Sequence, residues 1–135
     1  MLRTLFGIFV ILHGLVHMWF VVLSRHWVPF EPEMGWTGKS WLFTPILGDT
    51  ATRWVATILY TLVTITFVIS GIGTLTRGEG WRPLMIASAA ASAVMILLFW
   101  DGGTQYIVPK GLIGFLIDVG ILVALLVLTW PPSRM

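Results

Sequence analysis

The sequence predicts an all-α, polytopic membrane protein, a bundle of four transmembrane helices. Hydrophobic residues make up 57% of its 135 residues and charged residues only 10%, whereas soluble domains carry roughly 25% charged residues. Four apolar stretches approach the ~20 residues that a helix needs to cross the hydrocarbon core of a bilayer. The length suits a single membrane domain over residues 1–135, in contact with the lipid bilayer.

The predicted spans follow these apolar stretches in order. The first is longer than the apolar segment of a signal peptide, and no cleavage pattern of small residues follows it, which favours a retained helix. The third is short, but Pro83 and Trp100 flank it and suit the membrane interface. The spans are residues 5–23, 54–75, 84–100 and 112–130.

A long aromatic loop joins the first two spans. At about 30 residues it exceeds what a helical bundle requires, and a fully solvated loop would not be rich in aromatic residues. We therefore expect segment 40–47 to lie in the interface or to fold over the mouth of the bundle, since long loops often act as binding elements. The aromatic residues are Trp27, Phe30, Trp36, Trp41 and Phe43.

Both termini of a four-span protein lie on the same side of the membrane. The basic residues divide evenly, with Arg3, Arg77, Arg82 and Arg134 on the side of the termini and Arg25, Lys39, Arg53 and Lys110 on the other. Four acidic residues break the tie because all fall opposite the termini: Glu31, Glu33, Asp49 and Asp101. The sequence thus predicts a protein of the cytoplasmic (inner) membrane with both termini inside.

Composition excludes several classes of function. The chain has no cysteine, which excludes disulfide, iron–sulfur and thiolate-metal chemistry. Its net charge is only +2 and its basic residues are scattered over the loops, so nucleic-acid binding is not expected. The two halves of the chain do not resemble each other, which argues against an inverted-repeat transporter within it.

Three ionisable residues inside the spans are the strongest functional signal. His13 and His17 lie four residues apart in the first span, and so on one helix face, and Asp118 lies in the fourth span. An Asp, Lys or Arg at the centre of a membrane helix costs roughly 2.5–3.5 kcal/mol on insertion scales. Residues retained at such a cost usually face the bundle interior and mark functional sites.

Depth along the helices predicts which of these residues meet. Counted from the outer ends of their spans, His17 and Asp118 lie at a similar depth, roughly 9 Å inside, and His13 lies about one turn deeper. We therefore expect a pocket in which His17 is the catalytic acid or base, Asp118 orients it and His13 assists. The expected ligand-binding residues are Tyr60, Thr61, Trp41 and Tyr106.

Several chemistries fit these residues. A His–Asp pair can act as a general base or proton relay, two histidines with an aspartate can bind a divalent metal, and a histidine can ligate haem iron. The three residues can also be purely structural interhelical contacts. We favour acid/base chemistry, assign no metal ligand and leave the cofactor open. A zincin-type protease is not supported, because Gly14 stands where its motif requires glutamate.

The leading hypothesis is an integral membrane protein that binds or converts a small hydrophobic ligand, a lipid, an isoprenoid or a quinone, in the outer half of the bundle. The alternatives are a transporter of protons, ions or small solutes, and an accessory subunit of a larger membrane complex. Pairs of small residues four apart in the third span, such as Ala87 with Ala91 and Ser88 with Ser92, predict close helix packing within the bundle or in a homo-oligomer.

The chain opens with Leu2-Arg3, followed by Phe6-Gly7 and Leu12-His13-Gly14-Leu15. This opening resembles the first helix of the DoxX-type membrane proteins, in which an arginine precedes an apolar helix with a small-residue or His-Gly step. The chain departs from that pattern in its long aromatic loop and in lacking the lysine that commonly follows the step. The resemblance implies a small four-helix membrane protein, sometimes associated with quinone-linked oxidoreductase systems, and it assigns no catalytic residues.

Overall fold

The structure is helical throughout its spans. The computed structural model describes residues 1–132, in which no strand occurs; Arg134, which entered the predicted charge count, lies outside them. Four helical spans are long and apolar enough to cross a membrane: Leu2–Ser24, Phe43–Thr76, Trp81–Leu98 and Val108–Val127. This confirms the predicted fold class, an all-α bundle that spans a membrane.

Five α-helices build the spans. The first span consists of α1 and α2, which meet at His17, and the fourth contains α5 between two π-helical turns. The helices are α1 (Leu2–Val16), α2 (Met18–Ser24), α3 (Phe43–Thr76), α4 (Trp81–Leu98) and α5 (Ile113–Leu122). The π-helical turns are Val108–Leu112 and Val123–Val127, and a 3₁₀ turn, Pro32–Met34, lies in the first connection.

The second span begins well before its predicted start at residue 54. Ser40 and Thr44 start α3, because Ser40 Oγ accepts the N–H of Phe43 at 3.0 Å and the N–H of Ser40 donates to Thr44 Oγ1 at 2.8 Å. Pro45 lies in the first turn, where its missing N–H removes no helical hydrogen bond. Gly48, with φ of 83°, then interrupts the helix. Proline and glycine made this helical segment resemble a loop in the sequence.

The most extensive helix contact is between α1 and α3. Gly7 and Gly14 on α1 face α3, and Gly71 on α3 faces back. A Cβ atom on Gly14 would lie 2.5 Å from the Cβ of Phe67, and one on Gly71 would lie 3.0 Å from the carbonyl oxygen of Gly7. Small residues permit this close approach of backbones. The contact therefore fixes the rotation of α1 and the direction in which its histidines point.

The spans follow one another in an open arc. α1 packs on α3, α3 on α4, and α4 on α5. The Ser88/Ser92 face of α4 is buried, as the predicted helix packing requires, whereas Ala87 and Ala91 are exposed. α1 and α5, at the two ends of the arc, make few close backbone contacts in the described chain. A gap therefore remains between the first span and the fourth.

Tryptophans of the first connection cap the end of α4. The last carbonyls of a helix lack partners within that helix. Trp36 Nε1 donates to the carbonyl of Phe99 at 2.6 Å, and Trp41 Nε1 donates to the carbonyl of Leu97 at 2.7 Å. Trp36 is also almost completely buried, whereas Trp27 and Phe30 of the same loop are exposed.

Ser40 completes the cap. Its hydroxyl donates to the carbonyl of Leu98, and the backbone N–H of Trp41 donates to the carbonyl of Trp100 at 2.8 Å. Trp36, Ser40 and Trp41 are together termed the α4 cap. Segment 40–47 thus covers the end of α4 and begins α3.

Candidate functional site

His17 lies at the joint between α1 and α2, where one backbone hydrogen bond spans three residues instead of the usual four. Its backbone N–H donates to the carbonyl of Gly14 at 3.1 Å rather than to that of His13. The His13 carbonyl instead accepts from His17 Nδ1 at 2.9 Å. Because a carbonyl can only accept, Nδ1 of His17 carries the proton, and Nε2 of the neutral ring is an acceptor.

Ser92 on α4 is the second partner of His17. Its hydroxyl donates to His17 Nε2 at 2.6 Å, and both residues are buried. Both ring nitrogens of His17 are therefore paired, and the residue ties α1 to α4. From the sequence, Ser92 was expected only to pack helices together; its hydroxyl, on a face of small residues, was the signal that could have identified it as a polar partner.

Asp118 pairs with His13 and not with His17. His13 Nε2 donates to Asp118 Oδ1 at 2.7 Å, and both side chains are buried. The predicted pairing of His17 with Asp118 is wrong because the fourth span starts at Val108, four residues before its predicted start. Asp118 therefore lies about one helical turn deeper than predicted, at the level of His13.

The His13–Asp118 pair leaves two polar atoms without partners. Asp118 is 0% exposed, and its Oδ2 makes no hydrogen bond within residues 1–132. The Nδ1 atom of His13 also has no hydrogen-bond partner in that part of the chain. Because most buried polar groups in proteins are paired, this incomplete pairing marks the pair as a candidate site rather than a structural tie between helices.

A cavity of about 480 Å³ lies beside the pair, in the gap between the first and fourth spans. His13 and His17 are its ionisable lining residues. Leu12, Val16 and Ile113 also line it, and they are 57%, 65% and 54% exposed. Exposed apolar side chains in the middle of a membrane span face lipid. This lateral cavity therefore opens sideways toward the hydrocarbon core of the bilayer.

Two predicted ligand-binding residues on α3 lie outside the lateral cavity. Tyr60 is buried behind the lining residue Phe20, on which its ring stacks at 4.6 Å between centroids, and it lies 6.2 Å from the ring of His17. Thr61 donates to the carbonyl of Thr57 in its own helix. Depth placed Tyr60 near the histidines, but the rotation of α3 points its side chain into the core.

The two predicted residues from loops also lie elsewhere. Trp41 belongs to the α4 cap and is 53% exposed, and the hydroxyl of Tyr106 lies 3.5 Å from Glu33 Oε1 on the surface. Trp19 and Met34 do line the lateral cavity, where Trp19 Nε1 donates to the carbonyl of Met34 at 2.9 Å. No sequence pattern pointed to Met34, because only the fold brings the 3₁₀ turn beside α2.

Outside the cavity, Asp101 ties the first connection to the last. Its carboxylate accepts hydrogen bonds from Thr37 at 3.0 Å, from the N–H of Gly103 at 2.9 Å and from Lys110 at 3.1 Å. Burial raises the pKa of Asp101, but these hydrogen bonds and the Lys110 charge outweigh it, so the pKa lies below its ordinary value. Lys110 precedes Gly111, which lines the lateral cavity, so this Asp101 clamp supports the edge of the site.

The buried polar cluster also has the composition of a metal site. His13, His17 and Asp118 each offer one ligand atom, and these atoms lie within 4.8 Å of one another. Two imidazole nitrogens and a carboxylate oxygen suit a divalent ion such as zinc. With its present hydrogen bonds, the cluster can transfer protons through His13. Metal binding through His17 Nε2 would require the hydrogen bond from Ser92 to be broken first.

Comparison of this chain with protein-family models, with curated proteins and with solved structures found no match. The resemblance of its first helix to DoxX-type proteins therefore stays a prediction. Its function has to be inferred from the chemistry of the site.

Proposed function

We propose that this protein binds a small hydrophobic molecule with an oxygen-bearing head group in the lateral cavity, and that it exchanges a proton with this molecule through His13. Lipids, isoprenoids and quinones are the ligand classes that fit. One observation carries the proposal: a buried His–Asp pair with a free ring nitrogen adjoins an apolar cavity that opens to the bilayer.

The size and polarity of the lateral cavity support such a ligand. Ligand sites commonly measure about 300–1,000 Å³, with apolar walls and a few polar groups that orient the ligand. The lateral cavity measures about 480 Å³, and its walls include Phe9, Phe20 and Ile117. Because its rim faces lipid, a hydrophobic tail can extend into the bilayer while the head group reaches His13.

The His13–Asp118 pair can hold one or two ring protons. With one proton, on Nε2, the pair is negatively charged, and Nδ1 can accept a proton from the ligand. With two ring protons the pair is neutral overall, and the Nδ1–H can donate to the ligand. Asp118 holds Nε2–H in both states, as a carboxylate does for a histidine in general acid/base catalysis.

His17 has a different role from the one that the sequence suggested. Both of its nitrogens are occupied, and its ring packs edge-on against that of His13 with 4.9 Å between centroids. We assign it as a positioning residue that holds the His13 ring in place. The acid/base role expected for His17 passes to His13.

Native mass spectrometry of the purified protein tests this proposal, with a short-tailed benzoquinol, which carries exchangeable phenolic protons, and a C15 isoprenoid alcohol as probes. We expect the wild-type protein to bind one of them, and His13→Gln to lose at least most of this binding. His26→Gln is the matched control, since His26 is exposed and does not line the cavity. Equal binding by wild type and His13→Gln, with both proteins folded, would contradict the proposal.

A divalent metal ion is the second candidate ligand, favoured by the 4.8 Å cluster of ligand atoms. Calorimetric titration with Zn²⁺ separates the two candidates. Metal binding requires His17, so His17→Gln abolishes it, and Ser92→Ala strengthens it by freeing His17 Nε2. If the ligand is instead the hydrophobic molecule, His17→Gln should still bind the quinol or isoprenoid probe, but more weakly than wild type. Zn²⁺ should then bind wild type no more tightly than it binds His17→Gln.

We also propose that the protein lies in the cytoplasmic membrane with both termini inside, as its loop charges suggest. Because the chain has no cysteine, a single introduced cysteine reports its side of the membrane. A membrane-impermeant maleimide should label Lys39→Cys in intact cells, and it should label Arg77→Cys only after the membrane is opened. The reverse pattern would overturn this orientation.

A further inference from the structure

Within residues 1–132, three arginines gather at the end of the bundle that carries the N-terminus. Arg3 lies at the start of α1, Arg77 follows α3 and Arg82 lies in the first turn of α4. All three line one cavity of about 280 Å³. Trp81 lies among them, with the guanidinium carbons of Arg3 and Arg82 at 5.6 and 5.9 Å from its ring centroid. This set of four residues is termed the arginine end.

The protein itself holds two of these arginines in place. Arg3 Nε donates to the carbonyl of Thr74 at 2.7 Å. Arg82 donates to the carbonyls of Leu125 and Pro131. A carbonyl has no net charge, so the two contacts of Arg82 orient its guanidinium group at the cavity without neutralising it.

Two residues of the arginine end, Arg77 and Arg82, carry positive charge that the described carboxylates do not pair. Neither Arg77 nor Arg82 forms an ion pair with a carboxylate among residues 1–132. Glu79 also lines the cavity, and within residues 1–132 its single negative charge is smaller than the two positive charges of Arg77 and Arg82. At the opposite end of the bundle, in contrast, Lys110 is paired with Asp101 at 3.0 Å.

An apolar cavity adjoins the charged one. It measures about 360 Å³, shares Arg3 and Arg77 with the first cavity, and is also lined by Leu2, Leu75 and Trp130. Leu2 and Leu75 are exposed and therefore face lipid. Tryptophans are enriched where the hydrocarbon core meets the head groups, so a positively charged pocket lies here directly beside hydrocarbon.

We propose that the arginine end binds the phosphate of an anionic phospholipid, whose acyl chains lie along Leu2 and Leu75. Guanidinium groups match phosphate oxygens with paired donors. A zwitterionic head group brings its own ammonium group, which the excess positive charge repels, so an anionic head group is preferred. This site is separate from the lateral cavity, and the proposal does not depend on the function assigned to His13.

Titration of the purified protein in detergent tests the proposal, with native mass spectrometry counting bound lipids. The probes are phosphatidylglycerol, phosphatidylcholine with the same acyl chains, and inorganic phosphate. We expect wild type to prefer phosphatidylglycerol and Arg77→Gln to lower that affinity about fivefold, the effect of one basic residue near an anionic surface. Arg77→Lys keeps the charge but loses the paired donors, so its affinity should lie between those of wild type and Arg77→Gln. Lys39→Gln removes the same charge from an exposed residue at the opposite end and should leave it unchanged.

Three outcomes would overturn the proposal. Equal affinity of wild type for the two lipids would show that head-group charge is not recognised. Equal losses in Arg77→Gln and Lys39→Gln would show that only the net charge of the protein matters. Competition by inorganic phosphate at the lipid concentration would assign the site to free phosphate instead of a lipid.

Discussion

The α4 cap and the His13–Asp118 pair both place polar groups in apolar surroundings, yet they differ in how completely these groups are paired. In the cap, four consecutive carbonyls at the end of α4 each receive a donor from the first connection. In the pair, Asp118 Oδ2 and His13 Nδ1 have no partner within residues 1–132.

This difference separates structural polar groups from functional ones. A fully satisfied network stabilises the fold and leaves no atom for a ligand. An unpaired buried atom destabilises the fold, and proteins retain such defects mainly at functional sites. By this criterion His17 is a structural residue, like those of the α4 cap, because the His13 carbonyl and Ser92 form hydrogen bonds with both of its ring nitrogens.

Breaking the α4 cap should produce the largest loss of stability. Trp36→Ala removes a fully buried ring and a hydrogen bond, and we expect it to destabilise the protein by about 3–5 kcal/mol. Thermal unfolding in detergent measures the loss. Trp27→Ala is the control, since Trp27 is exposed. The folded fraction of Trp36→Ala should bind the probes of the lateral cavity normally, and a loss of that binding would show that the cap is part of the site.

Altering the His13–Asp118 pair should instead leave stability nearly unchanged and weaken the binding of the probe. Asp118→Asn keeps the size of the side chain and an acceptor for His13 Nε2–H, so stability should change by no more than about 1 kcal/mol. Affinity for the bound probe should fall about 10- to 100-fold, because hydrogen bonds that involve charged groups contribute about 1.5–3 kcal/mol. Unchanged affinity in a folded Asp118→Asn protein would remove Asp118 from the site.

Ser92→Ala should lower stability without affecting ligand binding, because Ser92 donates to His17, the histidine that has no free ring nitrogen. We expect a loss of about 1 kcal/mol of stability, the contribution of one hydrogen bond, with probe binding retained. Ser88→Ala is a matched control one turn away, since Ser88 donates only to the carbonyl of Leu84 in its own helix. If Ser92→Ala abolished probe binding without unfolding, His17 rather than His13 would be the acid/base residue.

The Asp101 clamp should give the smallest effect, and one that depends on pH. The pKa of Asp101 lies below its ordinary value in the folded protein, so ionised Asp101 stabilises the clamp above the pKa of about 3.9 that an aspartate has in an unfolded chain. That stabilisation is lost as the pH falls through the lower, folded pKa. The protection factor of the Gly103 amide, its exchange rate relative to that of an unstructured amide at the same pH, should therefore fall on acidification in wild type. Asp101→Asn should show little protection at every pH, and equally low protection of wild type near neutral pH would argue against the clamp.

Sequence patterns were sufficient to predict the fold, because a helix that crosses a membrane must be apolar over about 20 residues. Long apolar runs predicted all four spans, and three of them start within four residues of their predicted positions. The second span starts earlier than predicted, because Pro45 and Gly48 are compatible with a loop as well as with the start of a helix. Composition alone cannot distinguish these two cases.

The sequence predicted which ionisable residues form the candidate site, but not which of them are hydrogen-bonded to each other. The high cost of burying ionisable groups identified His13, His17 and Asp118, and the structure does bring them together. Which histidine meets Asp118 depends on a shift of one turn in α5. The direction in which Tyr60 points depends on the rotation of α3, which is fixed by contacts between helices far apart in the sequence.

The most direct test of the central claim is ¹⁵N NMR of the histidine side chains in lipid nanodiscs, since the chain has only three histidines. We expect opposite patterns, with His17 protonated on Nδ1 and bare on Nε2, and His13 protonated on Nε2, where it donates to Asp118. Addition of the bound probe should shift the Nδ1 resonance of His13 and leave both nitrogens of His17 unchanged. A shift confined to His17, or a His13 ring that lacks a proton on Nε2, would contradict the account.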